Sequence, residues 1–251
     1  MIFQLMDSKT DCAGVYLPNK FVFDKIPDGL TKTWSWSQHL DGRDIDYAQL
    51  WVGGRSLDDV CPEHLTVRWA EANNLLKAHF KAFGTSKIDL SDVCFYDVVP
   101  QKHLQHYFDT KNEITKWVFD SVEKPKNYSF LKETFGNLRE LAKHSVNFNL
   151  FGLYNISQTD KKAEHLYLYA QFEGKPIHVD YDIFGTVTGR LTTKRDSFPM
   201  LNLKREFKRF VTPKNDVFLE LDFNAAEIRT LLALQGIEQP QEDIHEWNIK
   251  N

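Results

Sequence analysis

The sequence predicts a soluble α+β protein, with strand patterns near its start and helical patterns in its middle. Hydrophobic residues make up 42% of the 251 positions and aromatic residues 14%, which is enough to form a folded core. No stretch approaches the roughly 20 apolar residues of a membrane span, and Met1–Asp7 lacks the basic start and apolar core of a signal peptide. We therefore expect a cytoplasmic protein without membrane contact.

The first fifty residues have the composition of short strands separated by turns. β-Branched and aromatic residues cluster in short runs, and Pro18–Asn19 and Pro27–Gly29 supply the turns. The predicted strands are Phe3–Met6, Ala13–Leu17, Phe21–Phe23 and Thr33–Ser37.

Helical periodicity replaces alternation after Pro62. Apolar residues recur along one face from Leu65 to Phe83, where Gly84 ends the pattern. A short apolar run, Val93–Val99, predicts one more strand. Two long helices follow, over Leu104–Val122 and Tyr128–His144, and the Pro125 break between them indicates an antiparallel hairpin.

The last hundred residues mix both patterns. Alternation over His165–Glu173 and Pro176–Tyr181, with Gly174–Lys175 between them, predicts a β-hairpin. Val217–Phe223 predicts a final strand, and Ala225–Leu234 an apolar helix that begins directly after it.

The three cysteines, Cys12, Cys61 and Cys94, are odd in number and far apart, with no Cys-x-x-Cys pair. This spacing is typical neither of a disulfide framework nor of a structural zinc site. We expect three buried thiols.

Charge is distributed unevenly along the chain. The whole protein has a net charge of -4, yet Arg190–Lys214 contains eight cationic residues against Asp196 and Glu206, a net charge of +6. A concentrated basic segment in an acidic protein is typical of a polyanion-binding surface, and a solvated basic loop is the alternative.

Asp222 is the first candidate for chemistry, because it lies where a predicted strand meets a predicted helix. A carboxylate on such a rigid junction suits Mg²⁺, which takes hard oxygen ligands and is often bound through one or two carboxylates and substrate phosphates. Two ions of this kind can stabilise the attacking and leaving oxygens of phosphoryl transfer. The alternative role of Asp222 is to cap the helix.

Several motifs follow one another in a fixed order over about residues 150–251. The segments are Thr188–Thr192, Pro199–Asn202, the apolar run Val217–Leu221, the signature Asp222–Arg229 and Asp243–His245. This ordered set resembles the family A DNA polymerases, the DNA polymerase I-like group, in a phage-like form, and the order is more specific than any one motif.

The resemblance implies roles for the signature residues. Asp222 and the backbone carbonyl of Phe223 would bind two Mg²⁺ ions in the complete enzyme. Glu227 would be the steric gate that excludes a ribose 2′-hydroxyl, so the incoming substrate would be a dNTP. His245 would contact that nucleotide, or Asp243 and His245 would form a helix-capping turn.

The resemblance also implies a primer-template DNA surface. Arg190, preceded by Thr188, would reach the minor groove at the primer terminus, where acceptors common to all correct pairs are presented. Phosphate binding or a surface ion pair is its alternative. The other expected DNA-binding residues are Asn202, Lys204, Arg205, Lys208 and Arg209; for each cation a solvated face is the alternative.

Other parts of the family pattern differ or are absent. Met200 replaces the usual Asn, and Asn224–Ala226 replaces the usual Ser-Gln-Ile. A second metal-binding Asp and a cationic fingers helix would follow residue 251. We therefore expect this chain alone to be inactive, to require a carboxy-terminal polymerase half, and to expose an apolar face that favours self-association. A phage-encoded chain would act in the cytoplasm of its bacterial host.

The resemblance divides the chain into three predicted domains. Residues 1–100 would form a degenerate RNase H/exonuclease-like domain, because Lys9 stands where that domain's Asp-x-Glu-Thr start requires Glu; an unrelated small domain is the alternative. Residues 101–150 would form a thumb-like helical hairpin, or simply pack into the core. Residues 151–251 would be an incomplete polymerase palm. A non-catalytic primer-template-binding accessory protein and a nuclease using Asp7 and Asp11 are the competing functions.

Overall fold

The computed structural model confirms a mixed α+β protein that divides into two compact units. It describes residues 1–7, 13–23, 25–89, 93–171, 176–195, 197–241 and 243–250. The first unit comprises Met1–His144 and His178–Asn202, and the second comprises Ser145–Ile177 and Leu203–Asn251. Across these described ranges, no helix combines the length and apolar composition that a membrane crossing requires.

The strands are short and the helices carry most of the regular structure. The strands are β1 Gln4–Asp7, β2 Ala13–Leu17, β3 Lys20–Phe23, β4 Lys32–Thr33, β5 Asp46–Tyr47, β6 Ser145–Phe148, β7 Ile177–His178, β8 Tyr181–Asp182, β9 Thr192–Thr193 and β10 Val211–Thr212. The helices are α1 Ala48–Trp51, α2 Leu57–Val60, α3 Thr66–Thr85, α4 Phe95–Val98, α5 Gln101–Ser121, α6 Tyr128–Ala142, α7 Leu150–Ser157, α8 Lys161–Gln171, α9 Arg205–Lys208, α10 Ala226–Leu234 and α11 Ile244–Lys250. Single 3₁₀ turns cover Gln38–Leu40, Glu63–Leu65 and Met200–Asn202.

The first unit is built on a small mixed sheet. Strands β1, β2 and β3 form an antiparallel meander, with Gln4 opposite Tyr16 and Gly14 opposite Phe23. A parallel bridge between Ile2 and Lys32 places β4 beside β1, and β4 pairs in parallel with β5. The resulting order across the first unit is β3, β2, β1, β4, β5.

Side chains along β1 and β2 point alternately to the two faces of the sheet, and both faces are covered by other parts of the first unit. On one face, Met6 and Tyr16 pack against α3 and α5 through residues such as Phe108. On the other face, Phe3 and Val15 belong to a cluster that includes Tyr128, Leu40 and Ile45. A third cluster joins α1, α2, α3 and α5 around Trp34, Trp69, Ile114 and Val118.

Polar side chains fix β1 against α5 inside the core. The buried Gln4 amide donates to Asn112 Oδ1 at 2.9 Å and to Thr115 Oγ1 at 3.0 Å. The Tyr16 hydroxyl donates to the Asp109 carboxylate on the same helix. Because a buried polar atom without a partner is costly, these bonds specify how α5 lies on the sheet.

Residues 178–202 belong to the first unit through packing and charge. The Phe184 ring lies against Gly54, where any β-carbon would collide with it. The Asp180 carboxylate contacts Lys194 at 2.8 Å and Arg139 at 3.4 Å. This segment therefore folds back onto the helix α6 side of the first unit.

The second unit is smaller and less completely buried. Helices α7 and α8 pack closely through Leu153, Ala163 and Leu166, and β6 pairs antiparallel with β10. Its other well-buried apolar residues are Phe207, Phe210, Leu232 and Ile244.

Several predicted elements are confirmed. The predicted strands at Ala13–Leu17 and Phe21–Phe23 correspond to β2 and β3, and the helical pattern after Pro62 corresponds to α3. The two long predicted helices correspond to α5 and α6, although α5 packs mainly against α3 rather than against α6. The helix predicted after Asp222 corresponds to α10.

Three predicted strands are wrong, and a fourth, Thr33–Ser37, contributes only Thr33 to β4. The run Val93–Val99 contains the helical turn α4, because Tyr96 and Val99, three residues apart, are the buried positions. The run His165–Glu173 lies largely in α8, since Ala163 and Leu166 are buried with the same helical spacing. The turn predicted at Gly174–Lys175 lies outside the described residues.

The predicted strand Val217–Phe223 is also absent: the segment has no strand assignment. The described part of the chain provides no neighbouring strand that bonds to its backbone. A strand needs such a neighbour, because it cannot satisfy its own N–H and C=O groups.

The expectation of three thiols is wrong for one cysteine. Cys94 is disulfide-bonded, whereas Cys61 is a free, half-buried thiol whose pKa is raised by burial. Cys12 lies outside the described residues, as do Ser8–Asp11 of the exonuclease-like start. Disulfides are rare in the cytosol of most organisms, so the cytoplasmic location stays a prediction.

Candidate nucleic-acid interface and palm motif

The Thr188–Arg190 segment forms an exposed loop between β8 and β9 of the first unit. Gly189 has a φ of +76°, a conformation that glycine adopts without strain. The Thr186 hydroxyl donates to the Arg190 carbonyl at 2.9 Å, which closes the loop. Thr188 and Arg190 are exposed, as is Asn202 at the end of a 3₁₀ turn in the same unit.

Helix α9 and the residues at its two ends present four basic side chains of the second unit. Phe207 and Phe210 are 5% and 6% exposed and anchor this turn in the core. The four cations around them are all exposed: Lys204, Arg205, Lys208 and Arg209. The Arg209 guanidinium lies over the Phe210 ring, 4.9 Å from its centroid. The burial of Phe207 and Phe210 therefore fixes α9 in place, with the four cations facing solvent.

Lys162 joins this basic face from the start of α8, and sequence reasoning missed it. The Lys204 ammonium lies within hydrogen-bonding distance of the Lys162 amine, and this contact, together with the charge of Lys204, lowers the pKa of Lys162. The pKa of Lys204 is raised by the same contact and by Glu206, so Lys204 is the more readily protonated of the two. Lys204 also contacts Glu206 at 3.4 Å. The adjacent lysines Lys161 and Lys162 could have indicated a basic surface here, but the sequence predicted neither a helix nor a strand at these residues. We call Lys162, Lys204, Arg205, Lys208 and Arg209 the basic face.

Asp222 lies in an extended, exposed segment that leads into α10. The apolar residues around it are unusually exposed: Val217, Phe218, Leu219, Leu221 and Phe223 are 64–84% accessible to solvent. The Asp222 side chain is also exposed, and Ala225 adopts a left-handed conformation (φ 49°) just before the helix. Asp222 is thus three residues outside the helix N-cap, and it does not cap α10.

Arg229 connects the start of α10 to the loop that follows it. Its Nε donates to the Asn224 carbonyl at 2.9 Å and its Nη1 to the Pro240 carbonyl at 2.7 Å. Gln239 donates in turn to the Arg229 carbonyl at 3.0 Å. The planar guanidinium can hold two carbonyls in fixed directions, so Arg229 has a structural role around the Asp222 signature.

The remaining signature residues lie on the two last helices. Glu227 is exposed in the first turn of α10, where a negative charge is favourable at the helix N-terminus. Asn224 donates to the Asp243 carboxylate at 2.7 Å, which joins the turn before α10 to the turn before α11. His245 lies in α11, and its side chain is outside the described part of the structure.

The described residues do not by themselves make a two-ion magnesium site. Among them, no group of three His, Cys, Asp or Glu side chains lies close enough to hold a metal ion. Asp222 and the Phe223 carbonyl are hard oxygen donors of the right kind, but two ions require more oxygen ligands than this pair supplies. A complete site would therefore need further ligands from substrate phosphates and from another polypeptide segment.

No protein-family model, curated protein or solved structure matches this chain. The motifs in the sequence and the geometry within each unit are therefore the features that bear on function.

Proposed function

We propose that this chain binds primer-template DNA as the part of a family A-like DNA polymerase that contains the first catalytic palm motif. The observation that carries the proposal is the basic face, which lies in the same unit as the Asp222 signature. A polymerase must hold the phosphate backbone of its template near the carboxylates that bind the reacting phosphates.

Electrostatics supports DNA as the ligand of the basic face. Its five cations include the neighbouring Lys162 and Lys204, and an anion placed between them would favour the protonated form of Lys162. Phosphates spaced along a DNA strand satisfy several such cations at once, and counterion release then contributes to affinity. The overall charge of -4 would disfavour DNA elsewhere on the surface.

The roles proposed for individual residues follow the resemblance. Asp222 and the Phe223 carbonyl would each donate an oxygen ligand to a magnesium site completed by other groups. Glu227 would exclude a ribose 2′-hydroxyl, and His245 would contact the dNTP. Arg190, on an exposed loop fixed by Thr186, would contact the primer terminus.

The strand order of the first unit supports an exonuclease-like amino-terminal domain. An antiparallel β1–β3 meander with the parallel strands β4 and β5 beside β1 is the arrangement expected of an RNase H-like sheet. Strand β1 leads directly into the segment that contains Lys9. A lysine in place of a metal-binding Glu would repel metal ions, so we propose that this domain is not catalytic.

A non-catalytic DNA-binding accessory protein is the second candidate. It is favoured by the absence, among the described residues, of a cluster that could hold a metal ion without help. Both candidates require primer-template binding through the basic face, and they differ in whether Asp222 takes part in nucleotidyl transfer.

Primer-template binding is tested by fluorescence anisotropy over a range of salt concentrations. A variant with Lys204, Arg205, Lys208 and Arg209 all changed to Gln should bind at least about tenfold more weakly at low salt, with a salt slope reduced by about 3. The matched control changes four exposed lysines of the first unit to Gln: Lys77, Lys81, Lys102 and Lys116. Equal losses in both variants would mean that only net charge matters and would overturn the proposed face.

Primer extension separates the two candidates. We expect no incorporation by the chain alone, and magnesium-dependent incorporation when a family A carboxy-terminal half is added. Asp222→Asn should abolish that incorporation, whereas Glu220→Gln, an exposed carboxylate two residues away, should leave it unchanged. Primer-template binding without incorporation under any of these conditions would favour the accessory protein. Incorporation by the chain alone, lost in Asp222→Asn, would contradict the expected dependence on a second half.

A further inference from the structure

The first unit contains a cavity of about 410 Å³ between its sheet and helices α3 and α5. Leu5 and Met6 of β1 line one side, and Ser35–Ser37, two to four residues after β4 ends, line the next. Helices α3 and α5 supply the opposite wall, through Leu76, Phe80, Tyr107, Phe108 and Lys111. The volume lies within the range of small-molecule sites in proteins.

The lining of this cavity is typical of a small-molecule site. Strands β1 and β4 are adjacent and parallel, and the cavity lies against the middle of β1 and the segment that follows β4. Small-molecule sites are usually concave and mainly apolar, with a few polar groups that orient the ligand. The magnesium and DNA-binding residues discussed above do not line it.

Lys111 is chemically distinct from the rest of the lining. Within the described residues, its ammonium has no hydrogen bond or ion pair, whereas its carbonyl accepts a bond from Thr115 Oγ1 at 2.7 Å. The other lining side chains are aliphatic, aromatic or hydroxyl-bearing. Burial away from water lowers the pKa of Lys111 to about 8. A half-buried cation with no counter-charge among the described residues favours the binding of an anion.

We propose that this cavity binds a small monocarboxylate with an aromatic or alkyl body, and that the carboxylate pairs with Lys111. One cation matches one negative charge, so a monoanion fits better than a phosphate dianion. The body of the ligand would lie against Met6, Leu76 and Phe108, which are at most 7% exposed. Phe80, 42% exposed, would lie at the rim. This site is independent of the proposed DNA-binding function.

The charge state of the site depends on few groups. The strand β1, the segment after β4 and helix α3 contribute no titratable side chain to the lining, and α5 contributes Tyr107 and Lys111. Burial raises the pKa of Tyr107, so it stays neutral below pH 10. Lys111 therefore controls how carboxylate binding depends on pH.

Isothermal titration calorimetry with 3-phenylpropionate tests the site. We expect saturable binding by the full chain at pH 7, and at least about tenfold weaker binding by Lys111→Met, which keeps the length of the side chain and removes its charge. Lys116→Met is the matched control on the same helix, because the Lys116 side chain is 68% exposed and pairs with Asp120; it should bind as the wild type does.

The uncharged amide of the same probe requires no variant, so it tests the role of charge even if Lys111→Met folds poorly. The amide should bind the wild-type chain at least about tenfold more weakly than the acid. Acid binding at pH 8 should also take up about half a proton, measured from the heats in two buffers of different ionisation enthalpy. No binding of the acid, equal binding of acid and amide, or undiminished binding by a folded Lys111→Met would each overturn the proposal.

Discussion

The first and second units differ in how completely they bury their apolar side chains. In the first unit, three clusters enclose both faces of the sheet and the contacts between α3 and α5. In the second unit, the run Val217–Phe223 leaves five large apolar side chains 64–84% exposed. Exposed apolar surface of this kind marks interaction sites or causes association. The first unit therefore buries the larger apolar core, whereas the second leaves an apolar run accessible to solvent or to another surface.

The largest expected difference between the units is the cost of truncating an apolar side chain. Ile114→Ala removes a fully buried residue of α5 and should lower the free energy of unfolding by about 3 kcal/mol, because it leaves a cavity. Leu219→Ala, in the exposed run, should change it by less than about 0.5 kcal/mol. Urea denaturation measures both. A large loss in Leu219→Ala would mean that this run is buried in solution, as in a self-associated chain.

The next effect concerns pH and lies within the first unit. Lys111 has an ordinary pKa of 10.5 when unfolded and about 8 when folded, so the unfolded chain binds more protons between these values. Stability should therefore rise from pH 8 to pH 10.5, by about 2 kcal/mol after allowance for the partial exposure of the side chain. Below pH 8 the full cost of the buried charge is present.

Comparing the wild type with Lys111→Met isolates the contribution of Lys111 to this rise in stability. Buried tyrosines with raised pKa values, such as Tyr128, affect both proteins alike. Urea denaturation at pH 7.5 and pH 10 gives the difference. If the two proteins show the same pH dependence, the Lys111 ammonium is not desolvated in solution.

A smaller effect is expected at Arg229 in the second unit. Arg229→Lys keeps the charge but cannot hold the Asn224 and Pro240 carbonyls together, and should cost about 1 kcal/mol. Hydrogen exchange followed by mass spectrometry should show faster exchange in α10, with Arg205→Lys on the exposed α9 as the control. Unchanged protection of α10 would show that the two carbonyl contacts do not hold this helix in place.

The smallest predicted effect is at Lys162, and it extends the basic face to α8. Lys162→Gln should reduce the salt slope of primer-template binding by about 0.9, the value of one phosphate contact on duplex DNA. Lys161→Gln, its exposed neighbour, is the control for general charge. A slope unchanged by Lys162→Gln would restrict the face to α9.

Local periodicity predicted the long elements of the first unit well. Strand β2 and helices α3, α5 and α6 have strong patterns, and each of these elements packs one consistent face into a core. The predictions failed at short apolar runs, where the pattern alone does not distinguish a strand from a helix. Tyr96 lies in a short apolar run and Leu166 in an apparent alternation, but both are buried through helical packing.

The candidate site was predictable only in part. The motif order identified Asp222, Glu227 and the α9 cations, because these lie close together in the sequence. Lys162 could not be assigned in the same way, since it meets Lys204 only after α8 has packed in the second unit. Lys111 also required the fold, because its burial depends on residues from β1 and α3 that are distant in the sequence.

Photo-cross-linking of a primer-template to the full chain, with the attached peptides identified by mass spectrometry, tests the central claim most directly. We expect cross-links in residues 203–214, around α9, that disappear in the variant lacking its four cations and persist in the four-lysine control of the first unit. Cross-links confined to α3 and α5, or equal cross-linking in both variants, would contradict a DNA-binding face on the second unit.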